Sequence, residues 1–273
     1  FRYCLLCSFC FSVKFKLCKP KAKFAEFTQQ IFFSKVFREF IRFKNCRCNV
    51  AYKVIVCIKV KIKFKDHQLP SGEILDKNNT KHKVFVDYVQ NRGISIDEYP
   101  FLITPDQPGR MANRVIIPYT YKNKIVGHTS RFLDDRIPKY LNEQQPGYVF
   151  NIDIQKPEWT VCIVTEGKFD ALAIDGVAVM HDDISNEQAQ LLSTLNKTII
   201  VVPDRDKTGL KLCDRALELG YSVSIPKWDE GIKDVNDAVV KYGKLPTLLS
   251  ILQSATNSKI KIEMKRKQLD KRL

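Results

Sequence analysis

From Trp159 onward the chain repeats one rhythm: a short oily run, a polar turn, then a helix-length stretch closed by glycine. "WTVCIVT" (159–165), "VAVM" (177–180), "TIIVVP" (198–203) and "YSVSI" (221–225) are apolar with little alternation, as strands buried on both faces are. Between them lie "KFDALAID", closed by Gly176, and a segment opened by Ser185 with Gln188 three places on, the pattern of a capping box. Residues 207–219 predict a helix ended by Gly220, and Asp234 is placed to N-cap a last helix that stops at Gly243. Strands alternating with helices predict an α/β domain, a parallel sheet covered on both faces.

What precedes it has another texture. Residues 65–80 are polar, with Pro70 and Gly72, and read as a linker. Val84, Tyr88 and Val89 have helical spacing, stopped by Gly93. "RVIIPYTY", a "KNK" turn and "IVGHTSRFL" then give strand-like text through residue 154, so a small mixed α+β subdomain is expected in front of the parallel sheet.

The formal charge of +15 suggests a polyanionic partner until its distribution is considered. Residues 1–65 hold 16 Lys and Arg against 2 Asp and Glu, whereas residues 66–273 hold 29 against 28. The first segment also holds 12 of the 17 Phe and 7 of the 9 Cys, with no Gly. Phe and Lys have complementary codons (TTT and AAA), so translated AT-rich DNA has this composition. Residues 1–65 are therefore expected to stand outside the functional fold, as a non-native stretch or a divergent appendage. Cys4, Cys7, Cys10, Cys18, Cys46 and Cys48 do not form the two close pairs about 15–20 residues apart that a zinc ribbon needs, and zinc is disfavoured. "IKVKIKFK" (58–65) alternates like an edge strand. No run of about 20 apolar residues occurs, so no membrane association is expected. His67, His82, His128 and His181 are scattered, with His128 expected at a strand end on the surface. Cys162 and Cys213 read as small buried hydrophobes.

Acids stand where a parallel sheet presents its ligands, at the carboxyl ends of strands. Glu166 follows the strand 159–165, and Asp204 and Asp206 follow the strand 198–203 in "VVPDRDKTG". Asp170 lies one helical turn beyond Glu166, and Asp234 caps the last helix. Either these carboxylates cap helices and pair with Arg205 and Lys207, or they converge on a divalent cation. Hard oxygen ligands in that number suit magnesium, which keeps waters and substrate phosphates in its other positions. Gly167 and Gly209 would let backbone approach such a ligand.

"VTEGKFDALAIDG" followed by "VVPDRDKTG" resembles the two signature motifs of the Toprim fold, shared by primases, topoisomerases and some nucleases. Upstream, "RVIIPYTYKNKIVGHTSRFLDDRIPKYLN" (114–142) resembles the block before Toprim in DnaG-type and phage primases. The resemblance spans roughly residues 80–245. It implies a primase-core subdomain with a basic cleft at 66–157 and a Toprim catalytic domain at 158–245, with a basic tail at 246–273.

Carried over on matching letters, the resemblance implies that Glu166, Asp204 and Asp206 are catalytic and hold Mg2+, with Mn2+ as a substitute and Asp170 and Asp234 in support. Arg114, Arg131, Lys139 and Asn142 would line the cleft for nucleoside triphosphates and template. Two departures stand out. Asn236 occupies a position where many bacterial enzymes have a second Asp, leaving Asp234 as the expected acid. Lys168 replaces a residue often aromatic in them, a change expected to matter little. The implied function is a metal-dependent nucleotidyltransferase making short RNA primers on single-stranded DNA, partnered by a replicative helicase. The setting would be the cytoplasm, of a bacterial host if the gene belongs to a phage. The alternatives are another Toprim enzyme (a nuclease or topoisomerase-like protein) or a non-catalytic module binding single-stranded DNA or a helicase. A P-loop motor is excluded, since GxxxxGK[ST] does not occur.

Overall fold

The structure is a computed structural model and describes residues 62–105, 109–206 and 209–270. Most of the expected segment 1–65 therefore lies outside the described residues. Two five-stranded sheets organise the rest.

The first sheet runs in the order β1 (Glu73–Ile74), β2 (Leu102–Ile103), β3 (Arg114–Tyr121), β4 (Lys124–Phe132), β5 (Tyr140–Glu143), all antiparallel. Lys122 and Asn123 turn β3 into β4 with positive φ, the "KNK" turn. Helix α1 (Lys83–Gln90) buries Phe85, Val86 and Val89. This is the expected mixed subdomain, but 65–80 is more than a linker. Leu75 is buried in the core, and Gln145 ties the segment down at Lys65 through both its amide atoms.

His128 is likewise not a surface residue. It sits in the middle of β4, buried, opposite Pro118, with Nδ1 3.0 Å from Nε2 of His67. Burial, and then the neighbouring His67, hold its pKa below the ordinary imidazole value.

The second sheet has the order β10 (Ala255–Thr256), β9 (Ser222–Ser224), β8 (Thr198–Val201), β6 (Val161–Thr165), β7 (Val177–Ala178). Strands β6 to β9 are parallel, and β10 adds an antiparallel edge. Helices α2 (Lys168–Ala173), α3 (Asn186–Ser193), α4 (Gly209–Leu219) and α5 (Val235–Tyr242) fill the crossovers, followed by α6 (Lys244–Ser254) and α7 (Lys259–Asp270).

Alternate strand residues bury into opposite layers. Cys162, Val164, Ile199 and Val201 pack with Leu191, Leu212 and Cys213, whereas Ile163 and Ile200 pack with Phe169, Leu172, Ala238 and Ile251. That two-sided burial is why these strands lack alternation. The second layer continues without a break into Val89 of α1 and Ile103, Val115 and Ile117 of the first sheet, so both sheets share one core.

Ser185 and Gln188 make the expected capping box, and the Asp234 side chain accepts from the Asp237 N–H at the start of α5. The chain beyond 245 belongs to this domain: Ile251 and Ile262 are fully buried, and β10 pairs with β9. Around Ile262 the lysines mask that packing in the sequence, since one buried isoleucine among basic residues makes a weak periodic signal.

Candidate active site

Because β6 and β8 are neighbours in register, with Val164 opposite Val201, their loops leave the sheet side by side. The Asp204 backbone N–H donates to Glu166 Oε1 at 3.1 Å. One turn further along, Asp170 is buried at the start of α2, and its Oδ1 accepts from the Asn236 N–H at 2.8 Å, on α5. Three separate loops thus bring Glu166, Asp170, Asp204 and Asp234 into one electrostatic cluster. Asp206 is exposed, and its Oδ1 accepts from Gly209 N–H at 2.9 Å.

Two glycines make the convergence possible in a way the sequence did not suggest. A Cβ on Gly167 would collide with Asp170 Oδ2, and one on Gly209 with the Asp204 carbonyl oxygen. Both give room to the protein's own acidic segments rather than to a ligand.

The acids hold their protons unusually tightly. Burial pushes Glu166 up to about 7, with the charges of Asp206 and Asp182 adding to it. Asp204 rises to about 9, through burial first and then the fields of Asp170, Glu166, Asp234 and Asp206. Asp170 is raised by burial and by Asp234, and Asp234 is itself raised by burial. Partly buried carboxylates that act on one another are unfavourable together when ionised, unless a proton or a cation compensates them. Among the described residues no group of three or more His, Cys, Asp or Glu side chains is placed to hold a metal ion. Magnesium does not require one, because it binds through one or two carboxylates with water and phosphate completing the shell. All five acids offer hard oxygens, so the donor set fits such an ion.

The cations come from β4, from just past α1 and from the start of α2. Arg131 of β4 lies with Cζ 4.9 Å from the Tyr140 ring and 5.8 Å from the Phe169 ring, and an Nη atom donates to the Tyr140 hydroxyl. Its Nε is buried without a partner among the described residues. Phe169 is in α2, three residues past Glu166, so this guanidinium is on the acids' side of the molecule. Arg92 covers the other part of the same ring, with Cζ at 4.6 Å.

Lys168 completes the group, and the sequence reading undervalued it. Its Nζ is 5.4 Å from the Tyr140 ring and 3.3 Å from Asn142 Oδ1. Burial, and then the Arg131 charge, lower its pKa to about 8. Among the described residues none of Arg92, Arg131 and Lys168 has a carboxylate partner within 4.0 Å. Asp134, one possible partner for Arg131, pairs with Arg136 instead at 2.9 Å. Three cations without a carboxylate partner among the described residues, around shared rings, concentrate positive charge there.

Of the other expected binding residues, Lys139 and Asn142 are exposed on or next to β5, and Asn142 Oδ1 also accepts from Thr129. Arg114 requires correction. It is fully buried, and its guanidinium donates to the carbonyls of Arg110, Ser130, Pro138 and Lys139 at 2.6–3.3 Å, with Cζ 3.5 Å from the Phe132 ring. With Nε, Nη1 and Nη2 engaged, it holds the 138–139 turn and presents Lys139 rather than touching a ligand. Arg114→Met should therefore cost about 3 kcal/mol in urea unfolding, because buried carbonyls would lose their donors.

A Toprim α/β domain is what this sheet and its acidic loops define, and the Toprim-like family matches residues 163–239. Its curated sequence relatives are DNA primases. The protein from Clostridium acetobutylicum is 30% identical over 154 residues, 50% of this chain and 26% of that one. The Thermotoga maritima protein is 34% identical over 134 residues, 42% and 24% of the two chains. The chain thus spans about a quarter of the length of these relatives.

Among solved structures, a DnaG primase catalytic domain bound to single-stranded DNA superposes with a TM-score of 0.57 at 19% identity, covering 70% of this chain and 77% of that one. The RNA polymerase domain of the Mycobacterium tuberculosis primase gives 0.56 at 18%, covering 68% and 81%. The chain has the fold of a DnaG-type primase catalytic core and resembles the curated DNA primases in sequence over about half its length.

Proposed function

We propose that this chain is the catalytic core of a DNA primase, joining ribonucleotides into short primers on single-stranded DNA. The observation that carries this is the juxtaposition of largely half-buried, mutually repelling acids with cations that lack carboxylate partners among the described residues, where two sheets share one core. The names of the relatives point the same way.

In this reading Glu166, Asp204 and Asp206 hold Mg2+, with Asp170 and Asp234 in support and Mn2+ as a substitute. A bound divalent cation would supply charge neutralisation at the pyrophosphate and a lowered pKa at the attacking 3′-hydroxyl. Arg131 offers its guanidinium to the triphosphate as a planar donor, braced by Tyr140 and Phe169. Lys168 adds a point charge beside it, and Lys139 and Asn142 sit at the rim for template or nucleotide. Lys168→Met is expected to raise the KM for nucleotide about fivefold, the effect of about 1 kcal/mol from one partly exposed charge. Steady-state primer synthesis across nucleotide concentrations measures this.

The template is single-stranded DNA, and a replicative helicase is the expected partner. Among the described residues no helix is long and apolar enough to cross a membrane, and we place the protein in the cytoplasm. The test is direct. The full chain is incubated with single-stranded DNA, labelled ribonucleotides and Mg2+. Short RNA products support the proposal. Cut DNA would replace it with a Toprim nuclease, and retained DNA without products with a binding module.

A further inference from the structure

Arg205 stands between the two aspartates of the β8–α4 loop, yet its Nη atoms reach into the next loop of the sheet. Nη1 donates to the carbonyls of Trp228, Asp229 and Ile232 at 3.1–3.2 Å, and Nη2 to those of Pro226 and Trp228 at 3.3–3.4 Å. The Arg205 backbone N–H adds a bond to the Lys233 carbonyl at 2.8 Å. These acceptors span 226–233, the connection from β9 to α5, whose N-cap is Asp234. The loop is also held by Trp228, buried, with Nε1 donating to Ser250 Oγ at 2.9 Å and its ring 5.8 Å from Arg205 Cζ, and by Asp229, whose N–H donates to the Tyr242 hydroxyl at 3.0 Å and whose carboxylate pairs with Lys241 at 2.9 Å.

We propose that Arg205 is a positioning residue that fixes Asp234 at a set separation from Asp204 and Asp206. This rests on the reading that those acids hold a divalent cation. Asp234 caps the end of the 226–233 loop, so how the loop is held sets the separation of its carboxylate from those of the β8–α4 loop. The Arg205 guanidinium ties the β8–α4 loop to four carbonyls of the β9–α5 connection, and that fork geometry is specific to guanidinium. Lysine, with one ammonium centre, cannot span the same acceptors.

The test uses the full chain and Mn2+ as probe, without nucleotide or DNA. Arg205→Met is expected to weaken Mn2+ binding roughly 10–100-fold, the usual effect of removing a partner behind the metal ligands. It should also speed amide hydrogen exchange across 226–233 while leaving exchange in β6 and β8 unchanged. Arg205→Lys, which keeps the charge and stem, is expected to restore folding stability but not Mn2+ affinity. Millimolar guanidinium should recover binding in Arg205→Ala and leave wild type unaffected. Wild-type Mn2+ affinity in either Arg205→Met or Arg205→Lys would overturn the proposal.

Asp204→Asn is the reference variant. If it binds Mn2+ as wild type does, the metal reading of the site falls and this proposal with it. If it loses the ion while Arg205→Met retains it, only the role of Arg205 is overturned.

Discussion

Asp204→Asn is expected to abolish primer synthesis, by roughly a thousandfold or more, and at the same time to make the metal-free protein more stable above neutral pH. Both effects come from one cause. The folded-state pKa of Asp204 is pushed up to about 9 and that of Glu166 to about 7, against ordinary values of 3.8 and 4.5. A carboxyl that binds its proton more tightly folded than unfolded stabilises the fold below its unfolded pKa. It loses that contribution as pH rises through the folded pKa. For Glu166 the loss is complete only above pH 7.

The metal-free wild type should therefore melt at a lower temperature at pH 8.5 than at pH 5. Mg2+ should restore most of the difference at pH 8.5, where the acids are poised to ionise, and little at pH 5. The asparagine variant should show a flatter profile and a smaller response to Mg2+. Thermal melts at the two pH values with and without Mg2+ measure all three. A wild-type melting temperature that rises with pH would contradict the buried-acid account.

Arg131→Lys should lower kcat/KM for nucleotide incorporation by roughly a hundredfold and should not behave as a conservative change. The guanidinium is held against the Tyr140 and Phe169 rings and donates to the Tyr140 hydroxyl, while its buried Nε lacks a partner among the described residues. An ammonium cannot stack in that way or offer two parallel donors to phosphate. Because no carboxylate among the described residues pairs with Arg131, Arg131→Met should leave the unfolding midpoint nearly unchanged, separating it from Arg114. Primer synthesis at varied nucleotide concentration, beside a urea titration of the same variants, checks both. Wild-type kinetics in Arg131→Lys would remove Arg131 from the anion site.

The two arginines show where reading from residues alone stops. Arg114 begins β3, and Arg131 lies near the end of β4, one register step from facing it across the ladder. In the sequence both are cations flanking apolar strands, and both fitted a phosphate cleft. One is buried under carbonyls contributed by residues 4 to 25 positions away, whereas the other lies against the ring that follows Glu166. Lys168 was legible as an unusual letter, but its importance comes from Tyr140 and Arg131 on the other sheet. His128 read as surface because its cover, His67, is 61 residues away.

By itself the sequence determined the parallel sheet, the capping box at Ser185, the Asp234 cap and the position of each acid after its strand. These depend on apolar period, caps and glycine stops, whose causes lie within a strand or a turn of the residue concerned. Only the tertiary structure decided which cations face the acids, which are spent inside the core, and that Arg205 braces a neighbouring loop. A charged side chain's role depends on how many acceptors surround it and how far it is withdrawn from water, and both are set by chain segments distant in sequence.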